Sequence, residues 1–156
     1  MILRRVRVPG LCALLAVYGS AAAFTFSDGS TMRCFAGGAA VEEVNAPAAH
    51  AIVAQGRIAV TEHAGTGYRI LWNDARLASL PPAMHDFIFF HECAHASVPT
   101  QSELIANCAG LQAMRAAGRA GLSVEAKLAA FYGAGSVYWR DTLACANAAK
   151  PAPMPH

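Results

Sequence analysis

The run His91-Glu92-Cys93-Ala94-His95 holds residue types and a spacing that can do hydrolytic chemistry. On an α-helix, residues four apart lie one turn apart on nearly the same face, so His91 and His95 can offer two nitrogens to one metal ion. Glu92 is displaced from His91 by about 100° around the helix. That sets it aside from the ligand pair yet leaves it near enough to take a proton from metal-bound water. A zinc hydrolase needs this arrangement: neutral imidazoles on one side of the ion, a carboxylate beside the open position. The alternative is two surface histidines on a helix that also carries a glutamate.

Three protein ligands plus water is the usual catalytic zinc geometry, so a third ligand is required. Glu103 is the candidate, because it follows His95 after a short connection containing Pro99 and opens the next helix. Helices joined by so short a loop keep the start of the second near the end of the first. Asn107 lies one turn further along, suited to hydrogen-bond a ligand. Thr100-Gln101-Ser102-Glu103 also fits a capping box, in which Glu103 reaches back to the Thr100 N–H instead. Glu125 and Asp141 lie in later helices without a ligand pattern. His50, His63 and His85 are isolated and His156 is terminal; Tyr68, Tyr132, Tyr138 and Arg140 are candidates to stabilise an oxyanion, with no order among them.

The metal-bearing helix is expected from Pro82 or Ala83 to Ala96, with proline tolerated in the first turn and Val98-Pro99 ending it. Phe87 to Phe90 are apolar almost all round, which marks a buried helix. Polar residues following such a run are costly without partners, and a metal supplies one. A second helix starts at Thr100 or Ser102 and passes Met114 to a left-handed cap at Gly118. Further helices start at Ser123 and Ser136. Upstream, Arg57–Glu62 and Tyr68–Trp72 read as a β-hairpin across a turn at His63–Gly67. Phe24–Asn45 reads as irregular, with a short helix near Ala39–Val44. The expected class is α+β: a small antiparallel hairpin or sheet followed by a helical half.

Arg4, Arg5 and Arg7, the apolar run Val8–Ala22 and Ala21-Ala22-Ala23 follow the order of a secretory signal peptide, residues 1–23. An uncleaved anchor is the alternative, although the run is shorter than the roughly 20 residues a spanning helix needs. Cys12 would leave with the signal. Residues 24–149 would then form one domain and 150–156 a disordered proline-rich tail. The formal charge of +2 becomes −1 once the three arginines are removed, which excludes a basic nucleic-acid surface. Cys34, Cys93, Cys108 and Cys145 remain. An even number in an exported chain suggests two disulfides, with three connectivities possible and free buried thiols as the alternative. Cys93 points about 200° away from the histidines, placed to tie the back of the helix to the rest of the domain.

From His91 to Asn107 the chain resembles small gluzincin-type zinc peptidases. In these a histidine pair on one helix is completed by a glutamate on a second, commonly Glu followed by Ala and then Asp or Asn. Glu103-Leu104-Ile105-Ala106-Asn107 stands in that place. The chain is particularly similar to short bacterial members reading His-Glu-Cys-Ala/Gly-His, with Cys after the Asp or Asn, as Cys108 is here. The resemblance covers roughly Phe87 to Met114. It implies a minimal zincin-like fold, one zinc ion on His91, His95 and Glu103, Glu92 as general base, and an edge strand lining the cleft. Asn107 departs from the commoner Asp, and an amide carries no charge to raise ligand basicity.

The expected activity is zinc-dependent hydrolysis of peptide bonds in a periplasmic or extracellular protein. Its partner is a peptide or protein substrate, and no stable membrane span is left after signal cleavage. Two alternatives belong to other classes: a secreted zinc-stabilised binding module without activity, and a hydrolase of cell-envelope amides.

Overall fold

Glycines in the left-handed region set the first turns of the computed structural model, which describes residues 23–133 and 135–148. β1 (Phe24–Thr25) and β2 (Thr31–Met32) pair antiparallel around Gly29. β3 (Phe35–Ala36) and β4 (Ala39–Ala40) close through Gly37-Gly38, both with positive φ, as a two-residue hairpin turn requires. β5 (Glu42–Asn45) follows at once. The segment Ala39–Val44, expected to hold a short helix, is therefore strand, β4 and most of β5. Its alanines and glutamates have helix propensity, but pairing with a distant strand overrides it.

After α1 (Ala51–Ala54), β6 (Ala59–Ala64) and β7 (Gly67–Trp72) form the expected hairpin. Its turn is tighter than expected, Gly65-Thr66 alone, because the pairing extends to Ala64 and Gly67. The sheet order is β5-β7-β6, so β6 is an edge. β5 lies parallel to β7 and adds a third strand to the expected antiparallel hairpin. Such a parallel neighbour arrives by crossover and leaves no local turn signature. A short α2 (Asp74–Ala78), capped by Asn73, leads into α3 (Pro82–Ser97).

α3 has core on almost every side. Phe87, Phe89 and Phe90 are all but inaccessible, and Phe89 and Phe90 meet Phe24 and Phe26 at ring-centroid distances of 4.9 to 5.7 Å. Asp86 anchors the N-terminal segment by accepting from the Ser27 N–H at 2.8 Å and the Ser27 hydroxyl at 2.9 Å. α4 (Glu103–Ala116) crosses α3 closely at Gly110. A Cβ there would lie 2.9 Å from both the His91 nitrogen and the Phe90 carbonyl oxygen, a separation that real Cβ atoms do not tolerate. α4 ends at Gly118, φ 70°, as expected. α5 (Leu122–Tyr132) and α6 (Val137–Ala148) complete the helical half and start within a residue of the expected serines.

The fold is thus α+β, with a small sheet leading into a helical half. Cys34 is bonded to Cys93 and Cys108 to Cys145, so one bridge ties the N-terminal segment to α3 and the other ties α4 to α6. The signal region and the proline-rich tail, with Cys12 and His156, lie outside the described residues, apart from Ala23 at the expected cut. Among the described residues no helix is long and apolar enough to cross a membrane.

Candidate metal centre

α3 presents His91 and His95 on one face as their spacing requires, and the start of α4 brings Glu103 to them. The His91 and His95 Nε2 atoms are 3.1 Å apart. Glu103 Oε2 lies 3.1 Å from the first and 3.8 Å from the second. The capping-box alternative for Glu103 does not occur. Ser102 is the N-cap, accepting from the Ile105 N–H at 3.4 Å, and Thr100 accepts from the Ser102 N–H at 3.0 Å. Glu103 is therefore the first residue of the helix and free to turn to the histidines.

The outer partners of the rings decide what the inner nitrogens can do. Thr142 donates its hydroxyl hydrogen to the Tyr138 carbonyl at 3.0 Å, so its oxygen accepts from the Asn107 amide, 3.5 Å away. That turns Asn107 Oδ1 toward His91, where Nδ1–H donates to it across 2.6 Å. His95 Nδ1–H donates to the Thr100 carbonyl at 2.8 Å. Both rings are thereby held with hydrogen on Nδ1 and a bare lone pair on Nε2. Two lone pairs and a carboxylate oxygen meet within 4.8 Å with no donor among them. Three acceptors so close repel one another unless a positive charge lies between them, so the residues fit a metal ion, and the nitrogen–carboxylate set suits zinc.

Without a cation, a proton relieves the same conflict. Burial pulls the His91 pKa down, but the hydrogen bond to Glu103, the charges of Glu92 and Glu103, and Asn107 outweigh it and lift the pKa above its ordinary value. The hydrogen bond to His91 outweighs partial burial and, with the charges of His91, His95 and Arg57, holds Glu103 below the usual carboxylate range.

No family model, curated protein or solved structure matches this chain.

Glu92 is buried, and the Thr61 hydroxyl on β6 lies 2.7 Å from its Oε2 and 2.9 Å from its backbone carbonyl. That contact locks the acid to the sheet. The two histidines, Glu92 and Glu103 line a cleft of about 650 Å³ whose opposite wall is the segment Gly56–Thr61. Alternation of the β6–β7 ladder, continued by the Asn73 N–H bond to the Ile58 carbonyl, turns the backbone groups of Ala59, Thr61 and His63 toward the open edge.

The other candidates stay out of the cleft wall, although Tyr132 and Tyr138 are near enough to Glu103 for its charge to reach both. None of Tyr68, Tyr132, Tyr138 and Arg140 lines the cleft. Tyr68 packs at a tilt against His63, Tyr132 stacks on Trp139, and Arg140 pairs with Asp141. Burial raises the pKa of both Tyr132 and Tyr138, with the Tyr138 charge adding to the first and the Glu103 charge to the second. His50 caps α1, His85 pairs with Asp86, and Glu125 pairs with Arg115. Three contributors were not singled out in the sequence. Thr61 and Thr142 carry no motif, whereas Gly110 had one legible sign, a glycine in mid-helix where it costs stability unless close packing requires it.

Proposed function

We propose that this chain is an exported zinc-dependent peptidase of the gluzincin type, with one ion held by His91, His95 and Glu103 and with Glu92 as general base. The observation that carries the proposal is the convergence of three bare acceptors beside a buried, oriented carboxylate. Zinc bound there supplies a Lewis acid that lowers the pKa of water toward neutrality and polarises a carbonyl.

The remaining steps belong to the protein. Glu92 takes a proton from the attacking water and returns it to the leaving amine. Thr61 holds Glu92 Oε2 so that the acid does not have to be oriented during reaction. Asn107 and the Thr100 carbonyl keep both imidazoles in the tautomer that leaves Nε2 free. The open edge of β6 favours an extended peptide as substrate over a compact amide, because a strand can pair along it. The two disulfides suit an oxidising compartment, periplasmic or extracellular.

The test is digestion of a peptide library by the zinc-loaded chain, with and without chelator, beside Glu92→Gln. Cleavage lost in both controls, with zinc still bound to Glu92→Gln, is the expected result. No cleavage by the zinc-loaded wild type would leave a metal-stabilised binding module, and cleavage confined to cell-wall fragments would make the substrate a cell-envelope amide.

A further inference from the structure

One wall of the cleft carries charge that the hydrolytic machinery does not use. Arg57, just before β6, and Arg76, on α2, both line it and both are exposed. Arg76 donates from Nε to the Gly56 carbonyl at 3.2 Å, which tethers the side chain and leaves its terminal nitrogens without a protein acceptor among the described residues. Arg57 has no side-chain hydrogen bond or ion pair among the described residues, yet its charge reaches Glu103. Arg69, Arg115, Arg119 and Arg140, by contrast, each pair with a carboxylate. Glu92 and Glu103 offset a divalent ion, so the two guanidiniums are surplus positive charge in the cleft.

We infer that Arg57 and Arg76 make the cleft selective for peptides that carry a carboxylate close to the scissile amide, an inference that rests on the peptidase proposal. Guanidinium presents a fork of donors matched to carboxylate oxygens, and such charge-assisted bonds are stronger than neutral ones. Placement sets the reach. Arg57 stands at the N-terminal end of the β6 edge and Thr61 marks the position of Glu92. Four residues of strand span about 13 Å, at roughly 3.3 Å each, so the carboxylate falls within about four residues of the reacting bond. It belongs either to an acidic side chain or to the free C-terminus of the substrate.

Zinc-loaded Glu92→Gln, immobilised, is offered random peptide pools made with a free C-terminal carboxylate or with a C-terminal amide, and the retained peptides are read by mass spectrometry. About tenfold enrichment of carboxylate-bearing members is expected, falling to none when Arg57→Gln and Arg76→Gln are added with zinc content unchanged. Enrichment of internal Asp and Glu in both pools identifies an acidic side chain, whereas enrichment confined to the free-acid pool identifies the terminus. No enrichment, or enrichment that survives the two arginine substitutions, overturns the inference. Failure of the peptidase proposal is separate: the wild type cuts neither pool, while selective retention persists.

Discussion

On the cleft side of α3, Glu92 is buried and its carboxylate accepts from Thr61 at 2.7 Å. Behind the helix, beside the Cys34–Cys93 bridge, Glu43 is as deeply buried at 3 % exposure. Its Oε1 accepts from the Cys34 N–H at 3.2 Å, and its Oε2 has no hydrogen-bond partner among the described residues. Burial accordingly lifts the Glu43 pKa to about 7, against the Cys34 hydrogen bond that lowers it. The two acids show two answers to one cost. At the back, burial raises the pKa so that the acid holds its proton well above the ordinary carboxylate range, up to about pH 7. At the front, acceptors are gathered and oriented in a way that fits a cation, and two hydrogen-bonded ring nitrogens outside the cluster hold that orientation.

The comparison is broken most severely at Glu92. Glu92→Gln should reduce turnover by about 10³-fold, the usual range for a general base, with zinc content unchanged; single-turnover assays on a cleaved library peptide check this. Next in size is the helix crossing. Gly110→Val forces α4 away from the His91 backbone and should cost about 3 kcal/mol by chemical denaturation, with a parallel weakening of zinc binding.

At the back the effect depends on pH. Glu43 has a folded pKa of about 7 against an ordinary value of 4.5, so between these values the native state binds more protons than the unfolded chain. Stability from this group therefore falls as pH rises through that window, by at most about 3 kcal/mol. Glu43→Gln should raise the melting temperature at pH 8 and give little at pH 4; an equal gain at both values would show that the charge is not what matters. The smallest effect is expected at Thr61. Thr61→Val keeps the shape but frees Glu92, and should lower kcat by about tenfold with KM and zinc content little changed.

Much of the front was legible in the sequence because its signals are local. Phe87–Phe90 announced a buried helix, and histidines one turn apart share a face of any helix. Glu103 was legible only as one of two roles; the choice depended on Ser102 rather than Thr100 serving as the cap. The back was less legible. Glu42–Asn45 contains two glutamates and reads as strand only once β7 is beside it, a pairing between residues far apart in sequence. α1 and α2 are too short to show a helical period. Arg57 and Arg76 sit in no motif, and only the fold, with Arg76 bonded to the Gly56 carbonyl, puts both on one wall.

Zinc stoichiometry tests the central claim most directly, measured by elemental analysis on the purified, disulfide-bonded chain beside His95→Ala. The geometry predicts one zinc per chain in the wild type and none retained by the variant after the same dialysis. A wild type that holds no zinc, or a His95→Ala chain that keeps a full equivalent, would contradict it.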